Sequence, residues 1–253
     1  MKIAVVASGW HYPSQFYEAL AKQKGEHEVS LFCISHRDPS LATHPKFDDS
    51  TLRGRLDQKL YEHPLTKEDI VQLGWNYKEY PNTVGDWGNT NQWLEENDYS
   101  KYDLLLFTHD DNLILTDSLF EGIISDPAYP EWDILTNSVG VPAGSIRGSF
   151  EFFKPKVLDI MGGKFDLSTL TLNREGKTDN PEDLLTLNDW NNIVAPLNKV
   201  IVDNNLSVMT LSPAYRVSAF CIEGERGFIS RTHGSNTLSE DAGLMYLSEN
   251  NII

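Results

Sequence analysis

The chain has 253 residues, 37 of them acidic and 21 basic, for a net charge of −16, with 40% hydrophobic and 23% charged side chains. Such a chain can bury one sizeable core or two small ones, and its composition argues against disorder and fibres. Nucleic-acid binding by counterion release needs a basic face, so it is not expected here, and any anionic ligand calls for a metal ion or a few placed basic groups.

In chain order, Ile3 to Ala7 is a continuous apolar run of the kind that forms a central strand covered on both faces. Phe16, Ala19 and Leu20 then fall at helical spacing, with Gly25 as the stop, and Val29 to Ile34 forms the next strand. Strand, helix and strand within 35 residues begin a parallel, doubly wound sheet. Leu52 to Tyr61 is compatible with a helix, and Thr66 with Asp69 before Ile70 has the pattern of a capping box. Asn82 to Asn89 reads as a loop and Thr90 to Glu96 as a helix carrying Trp93 and Leu94 inward.

Leu104 to Phe107 is a strongly apolar strand that ends at Thr108-His109-Asp110-Asp111-Asn112. Thr116 is placed to cap a helix bearing Leu119, Phe120, Ile123 and Ile124. Short strands are expected at Ile134-Leu135 and Ser149 to Phe153, followed by a helix from Pro155 to Gly162-Gly163. A long helical region is expected from Asn180-Pro181, with Ile193, Val194, Leu197, Val200 and Ile201 on one face. Val208 to Thr210 and the alternation Tyr215, Val217, Ala219, Cys221 read as late strands, and the tail after Gly234 is polar. Cys33 and Cys221 lie in apolar runs without metal-ligand spacing and read as reduced core thiols. The apolar start is too short for a signal peptide, and no window approaches the roughly 18 residues of a membrane span. A cytoplasmic location follows as the expectation.

The strongest chemical signal is the pair Asp110-Asp111, because ligands of open parallel sheets bind at the carboxyl ends of strands. Two carboxylates there suit Mg²⁺ or Mn²⁺, which would hold the phosphates of a nucleotide; an ordinary acidic turn is the competing reading. His109 can serve as a ligand or support the turn.

Around this pair the sequence resembles nucleotide-sugar glycosyltransferases of the GT-A fold, family 2 and its relatives. Three segments carry the resemblance. The first is Pro81 to Asn91, a glycine- and asparagine-bearing run before a helix, a strand and the degenerate DXD-type motif His109-Asp110-Asp111. The second is Gly148 to Leu158, continuing into Met161-Gly162-Gly163-Lys164-Phe165-Asp166. The third is Pro181-Glu182-Asp183, near the family's acidic base. The resemblance implies a single α/β domain over 1–235, a Rossmann-like α/β/α sandwich with a central, mostly parallel sheet, and a polar C-terminal tail over 236–253.

It also implies roles. Asp111 would contact Mn²⁺ or Mg²⁺, with Asp110 serving the ribose, the metal shell or both, and His233 as a third ligand. Asp183 would be the general base, with Glu182 and Asp189 as competitors; a helix start explains these acids equally well. Ser8 and the nearby backbone would bond the nucleotide, and Trp10 or Tyr12 would stack on its base, although Tyr12 also fits a hydrophobic staple. Asp38 falls where the family reads uracil, Asn82 and Asn89 are further nucleotide contacts, and Arg231 would meet the diphosphate. For Asp38, Asn82, Asn89, Arg231 and His233, ordinary turn or loop chemistry is the alternative. Trp75, Trp87 and Trp132 suit sugar faces or core filling, more often the latter.

The function expected is therefore metal-dependent transfer of a sugar from a UDP- or GDP-type donor to a carbohydrate hydroxyl, with inversion if the base is Asp183. The alternatives are a carbohydrate- or nucleotide-binding module with a decayed catalytic site, or a sugar-nucleotidyltransferase. The first strand lacks the glycine-rich, lysine-bearing loop of the last class, and the absence of G-x-G-x-x-G disfavours a dehydrogenase.

Overall fold

The computed structural model describes residues 1–36, 39–41, 58, 62–81, 85–110, 112–114, 116–136, 150–168, 172–174, 185–187, 190–211 and 217–219. Eleven strands are seen among them: β1 (Lys2–Ser8), β2 (Glu28–Ser35), β3 (Asn76–Glu79), β4 (Leu104–His109), β5 (Asn112–Ile114), β6 (Ile134–Thr136), β7 (Phe150–Phe153), β8 (Leu172–Arg174), β9 (Leu185–Leu187), β10 (Val208–Thr210) and β11 (Val217–Ala219). The α-helices are α1 (Ser14–Ala21), α2 (Lys67–Gln72), α3 (Gly85–Glu96), α4 (Leu119–Ser125), α5 (Pro155–Ile160) and α6 (Trp190–Asp203).

Seven strands form one sheet in the order β10-β6-β7-β4-β1-β2-β3. β1 pairs in parallel with β2 and β4, β2 with β3, and β6 with β10, whereas β7 runs antiparallel to both β4 and β6. The α/β architecture with a mostly parallel central sheet is the one expected. Two small antiparallel pairs, β5 with β11 and β8 with β9, complete the described strands.

The apolar run of β1 divides between two cores, as alternation in a covered strand requires. Ile3, Val5 and Ala7 pack with Phe16, Tyr17 and Leu20 of α1 and with Leu119, Phe120 and Ile123 of α4. Ala4 and Val6 pack on the opposite face with Trp93 and Leu94 of α3, Val157 and Leu158 of α5, and Leu197 and Ile201 of α6. Helix α1 therefore carries the chain from β1 to β2 on one face. Helix α3 carries it from β3 back to β4 on the other, and β4 lies on the far side of β1 from β2. This reversal leaves a crevice outside the carboxyl ends of β1 and β4, the place where open sheets hold ligands.

The expected capping box is present: the Asp69 amide donates to Thr66 Oγ1 at 3.1 Å and the Thr66 amide to Asp69 Oδ2 at 2.9 Å. Three boundaries differ from the sequence reading. Helix α3 starts at Gly85, five residues before Thr90, although Gly85, Asp86, Gly88 and Asn89 are poor helix formers. Burial of Trp87 against Phe165, with ring centroids 4.5 Å apart, overrides their propensity. Helix α4 has Ser118, not Thr116, at its N-cap; its first amide, that of Leu119, donates to Gln23 Oε1 at 2.7 Å. Within the long helical region expected from Asn180, Leu185–Leu187 form β9, paired with β8, and α6 begins at Trp190; residues 180–184 and 188–189 lie outside the described residues. The helix expected over Leu52 to Tyr61 lies outside the described residues apart from residue 58. Trp75, Trp87 and Trp132 are all buried, the core-filling use. No helix among the described residues is long and apolar enough to cross a membrane.

Candidate functional site

At the crevice, Ser8 ends β1 opposite His109, the last residue of β4. The chain then turns through Gly9 to Tyr12 and enters α1. Gly9 donates its amide to the Ile34 carbonyl at 2.8 Å, which ties this loop to the end of β2. A Cβ on Gly9 would stand 2.5 Å from Tyr12 Cε1, so only glycine admits the Tyr12 ring at that distance. Tyr12 itself holds a left-handed φ of 54°, which costs a non-glycine residue about 1–2 kcal/mol.

What stabilises that conformation is Asp110. The amides of Trp10, His11 and Tyr12 donate to its Oδ2 at 2.8, 2.9 and 2.7 Å, and the His11 amide also reaches Oδ1 at 3.2 Å. The Tyr17 hydroxyl of α1 adds a further donor to Oδ2 at 3.3 Å. Three successive amides turned onto one anion form a backbone nest. Asp110 is 1% exposed. Its own amide donates to the Ser8 carbonyl at 3.3 Å, so loop and strand end grip each other in both directions.

A buried hydroxyl network underlies the loop. Tyr12 Oη and Ser35 Oγ share a hydrogen bond at 2.6 Å, and each oxygen lies 3.2 Å from the Gly9 carbonyl oxygen, which accepts from whichever hydroxyl is not donating to the other. Tyr17 Oη is 3.4 Å from Cys33 Sγ. Burial, then the neighbouring Cys33 and Asp110, hold the Tyr17 phenol well above its ordinary range, so it stays a proton donor. Burial likewise pushes the Cys33 thiol up, which matches a reduced, unreactive core cysteine. On the β4 side, Asn112 Nδ2 donates to Thr108 Oγ1 at 3.2 Å and to the His109 carbonyl at 3.1 Å, closing the acidic turn.

The structure brings four expected site residues, Ser8, Trp10, Tyr12 and Asp110, to one place, and it changes the part of one. Tyr12 is fully buried with its hydroxyl engaged below the loop, so it cannot stack on a base. Trp10, 37% exposed, is the aromatic ring the loop presents, 5.1 Å from the His36 ring and tilted 52° to it. For Asp110, Oδ2 is occupied by four donors inside the protein, and Oδ1 accepts from the His11 amide at 3.2 Å. Asn89 is 1% exposed on α3, which packs against β1 and β2, and its Oδ1 has no hydrogen-bond partner among the described residues. Asp38, Asn82, Asp111, Glu182, Asp183, Arg231 and His233 lie outside the described residues. Among those described, no three His, Cys, Asp or Glu side chains are grouped to hold a metal.

Two of the segments that carry the sequence resemblance also meet. Asn91 Oδ1 accepts from the Phe165 amide at 2.8 Å, and Asn91 Nδ2 donates to the Phe165 carbonyl at 2.9 Å. The turn that delivers Phe165 runs through Gly162 and Gly163 at φ of 73° and 82°, a succession that favours glycine. Sequence reasoning missed Tyr17, Ser35, Asn91 and Asn112. Asn112 had a legible signal, since asparagine closes turns onto its own backbone; the others bond partners distant in the chain.

No family model matches the chain, and no curated protein matches it. Solved structures resemble it at low identity. A mannosyltransferase from Pyrobaculum calidifontis, in complex with GDP-Man and Mn²⁺, is 13% identical over 89% of this chain and 58% of that one, with a TM-score of 0.47. This chain therefore spans less than two thirds of that enzyme's length. The catalytic domain of Drosophila β1,4-galactosyltransferase 7, in complex with xylobiose, is 12% identical over 96% of this chain and 79% of that one, with a TM-score of 0.42. A cytidylyltransferase from Leptospira borgpetersenii serovar Hardjo-bovis is 9% identical over 100% and 97% of the two chains, with a TM-score of 0.44.

Proposed function

We propose that this chain is a metal-dependent glycosyltransferase that moves a sugar from a nucleoside-diphosphate donor to an acceptor hydroxyl, with inversion at the anomeric carbon. The observation that carries the reading is the joining of the β1–α1 loop to the end of β4 at the reversal point of the sheet. It sets an exposed aromatic ring, Trp10, beside the strand end from which Asp111 follows.

In this reading the base of a uridine or guanosine diphosphate stacks on Trp10, while Ser8, Asn89, Asn82 and Asp38 supply polar contacts to base and ribose. Asp111 and His233 hold Mn²⁺ or Mg²⁺, and Arg231 faces the diphosphate. The metal supplies Lewis acidity at the leaving diphosphate. It also resolves the charge problem, since an acidic protein otherwise repels an anionic donor. Asp183, with Glu182 as its alternative, takes the proton from the acceptor hydroxyl as that oxygen attacks the anomeric carbon. One domain over 1–235 houses the whole site.

Calorimetric titration with UDP and GDP, with and without Mn²⁺, tests this. Nucleotide binding is expected to require the metal and to collapse in Asp111→Ala. A donor at 100 times its dissociation constant is expected to stabilise the fold by roughly 2.7 kcal/mol in a thermal shift. Equal binding without metal, or in Asp111→Ala, would sink the metal reading. Asp183→Asn is expected to abolish transfer while leaving nucleotide affinity near wild type.

A further inference from the structure

We infer that Asp110 and Tyr17 are positioning residues that hold the β1–α1 loop, and with it Trp10, in the shape that receives the donor nucleotide. The inference rests on the proposed function for the identity of the ligand, and on the loop's own geometry for the rest.

Residues 9–12 belong to no helix or strand, yet each of their four amides is spent. Gly9 donates to the Ile34 carbonyl, and Trp10, His11 and Tyr12 donate to Asp110. Without the carboxylate, three amides would point at one buried spot with nothing to accept them, and Tyr12 would have no return for its left-handed backbone. The loop would then relax, and Trp10, whose ring is carried by this backbone and meets His36 and His11, would lose its orientation. Tyr17 acts one step further back. Its hydroxyl reaches both Asp110 Oδ2 and Cys33 Sγ, so it anchors the carboxylate to α1 and to β2. The carboxylate is thus a part of the scaffold, although it sits in the motif where a ligand-binding acid is expected.

Preorganisation of this kind appears in affinity directly: apparent affinity falls in proportion to the fraction of molecules with the competent loop. The test compares full-length wild type with Asp110→Asn, Tyr17→Phe and Ile123→Ala. The last opens a cavity in the core on α4 and removes none of the hydrogen bonds that hold the loop. Two quantities are read: acrylamide quenching of Trp10, taken as the difference from the same protein carrying Trp10→Phe, and the dissociation constants of UDP, GDP and Mn²⁺.

Asp110→Asn and Tyr17→Phe are expected to make Trp10 more quenchable and to weaken nucleotide binding on the order of tenfold, a competent fraction cut to about one tenth. Ile123→Ala is expected to lower stability and change neither readout. If Asp110→Asn does not fold, Tyr17→Phe carries the test, since it leaves the carboxylate and its three amides in place. Unchanged quenching in Tyr17→Phe, or an equal change in Ile123→Ala, overturns the inference. Lost Mn²⁺ affinity in Asp110→Asn with Trp10 quenching unaltered also overturns it, by returning Asp110 to the metal. If wild type binds neither nucleotide, the functional reading fails and the ligand part of this inference fails with it. Quenching then decides the holding of the loop alone.

Discussion

The two faces of the sheet are held together in different ways. Beneath the β1–α1 loop, on the face covered by α1 and α4, the organising contacts are hydrogen bonds: one carboxylate, two phenols, a serine and a thiol, all buried. On the opposite face, Phe165 sits among Trp87, Phe107 and Phe153 with centroid distances of 4.5, 5.7 and 5.9 Å, all edge-on. There the indole N–H groups of Trp87 and Trp93 find no acceptor among the described residues. Apolar packing tolerates such neglect and small shifts, because its energy is spread over many weak contacts. A hydrogen-bonded nest does not, because removing its single acceptor orphans every donor at once. The site loop is built on the face that tolerates error least, and that is what places a ring reproducibly.

Substitutions on the two faces should therefore differ in kind as well as size. The largest loss is expected for Asp110→Ala: about 3–5 kcal/mol in urea unfolding, from buried amides left without an acceptor. A loss under 1 kcal/mol would mean that the loop amides find water instead. Gly9→Ala should come next, at about 2–3 kcal/mol, since its Cβ drives into the Tyr12 ring. It should disturb Trp10 quenching as well. On the aromatic face, Phe165→Leu should cost about 1–2 kcal/mol and leave Trp10 quenching unchanged, because the lost volume is remote from the nest. A change there would erase the distinction between the faces.

The smallest effect concerns acid. Asp133 is opposed by burial, but hydrogen bonds from Lys156 and the Ser207 amide outweigh it and hold the carboxyl below its ordinary value of 3.8. Its contribution is complete above that value and is lost as the pH falls below 3.8 through the depressed native value. Asp133→Asn should thus lower the neutral plateau slightly and flatten the acid limb of the stability curve, whereas Phe165→Leu should lower the curve evenly across that pH range.

The elements legible in the sequence were those whose causes are local. The runs Ile3 to Ala7 and Leu104 to Phe107 announce covered strands, and Thr66 with Asp69 announces a helix start. That Asp110 follows the end of a buried strand was legible too. The part Asp110 takes was not, because its partners are backbone amides 98 to 100 positions away, and amides carry no sequence signal. The start of α4 was misplaced for the same reason: its cap acceptor, Gln23, comes from 96 positions earlier. The start of α3 was misplaced because burial of Trp87 decides it, and propensity counts against it.

The nest has a consequence for ionic strength. Asp110 accepts from three backbone N–H dipoles and a phenol, and at 1% exposure it is shut away from mobile ions. Dissolved salt screens charges that water reaches and has little purchase on a buried carboxylate surrounded by amides. A diphosphate approaching a protein of charge −16 is in the opposite position, exposed to every counterion in solution. For a donor of the proposed class, raising sodium chloride should therefore alter how tightly it is bound while leaving the geometry of the β1–α1 loop untouched.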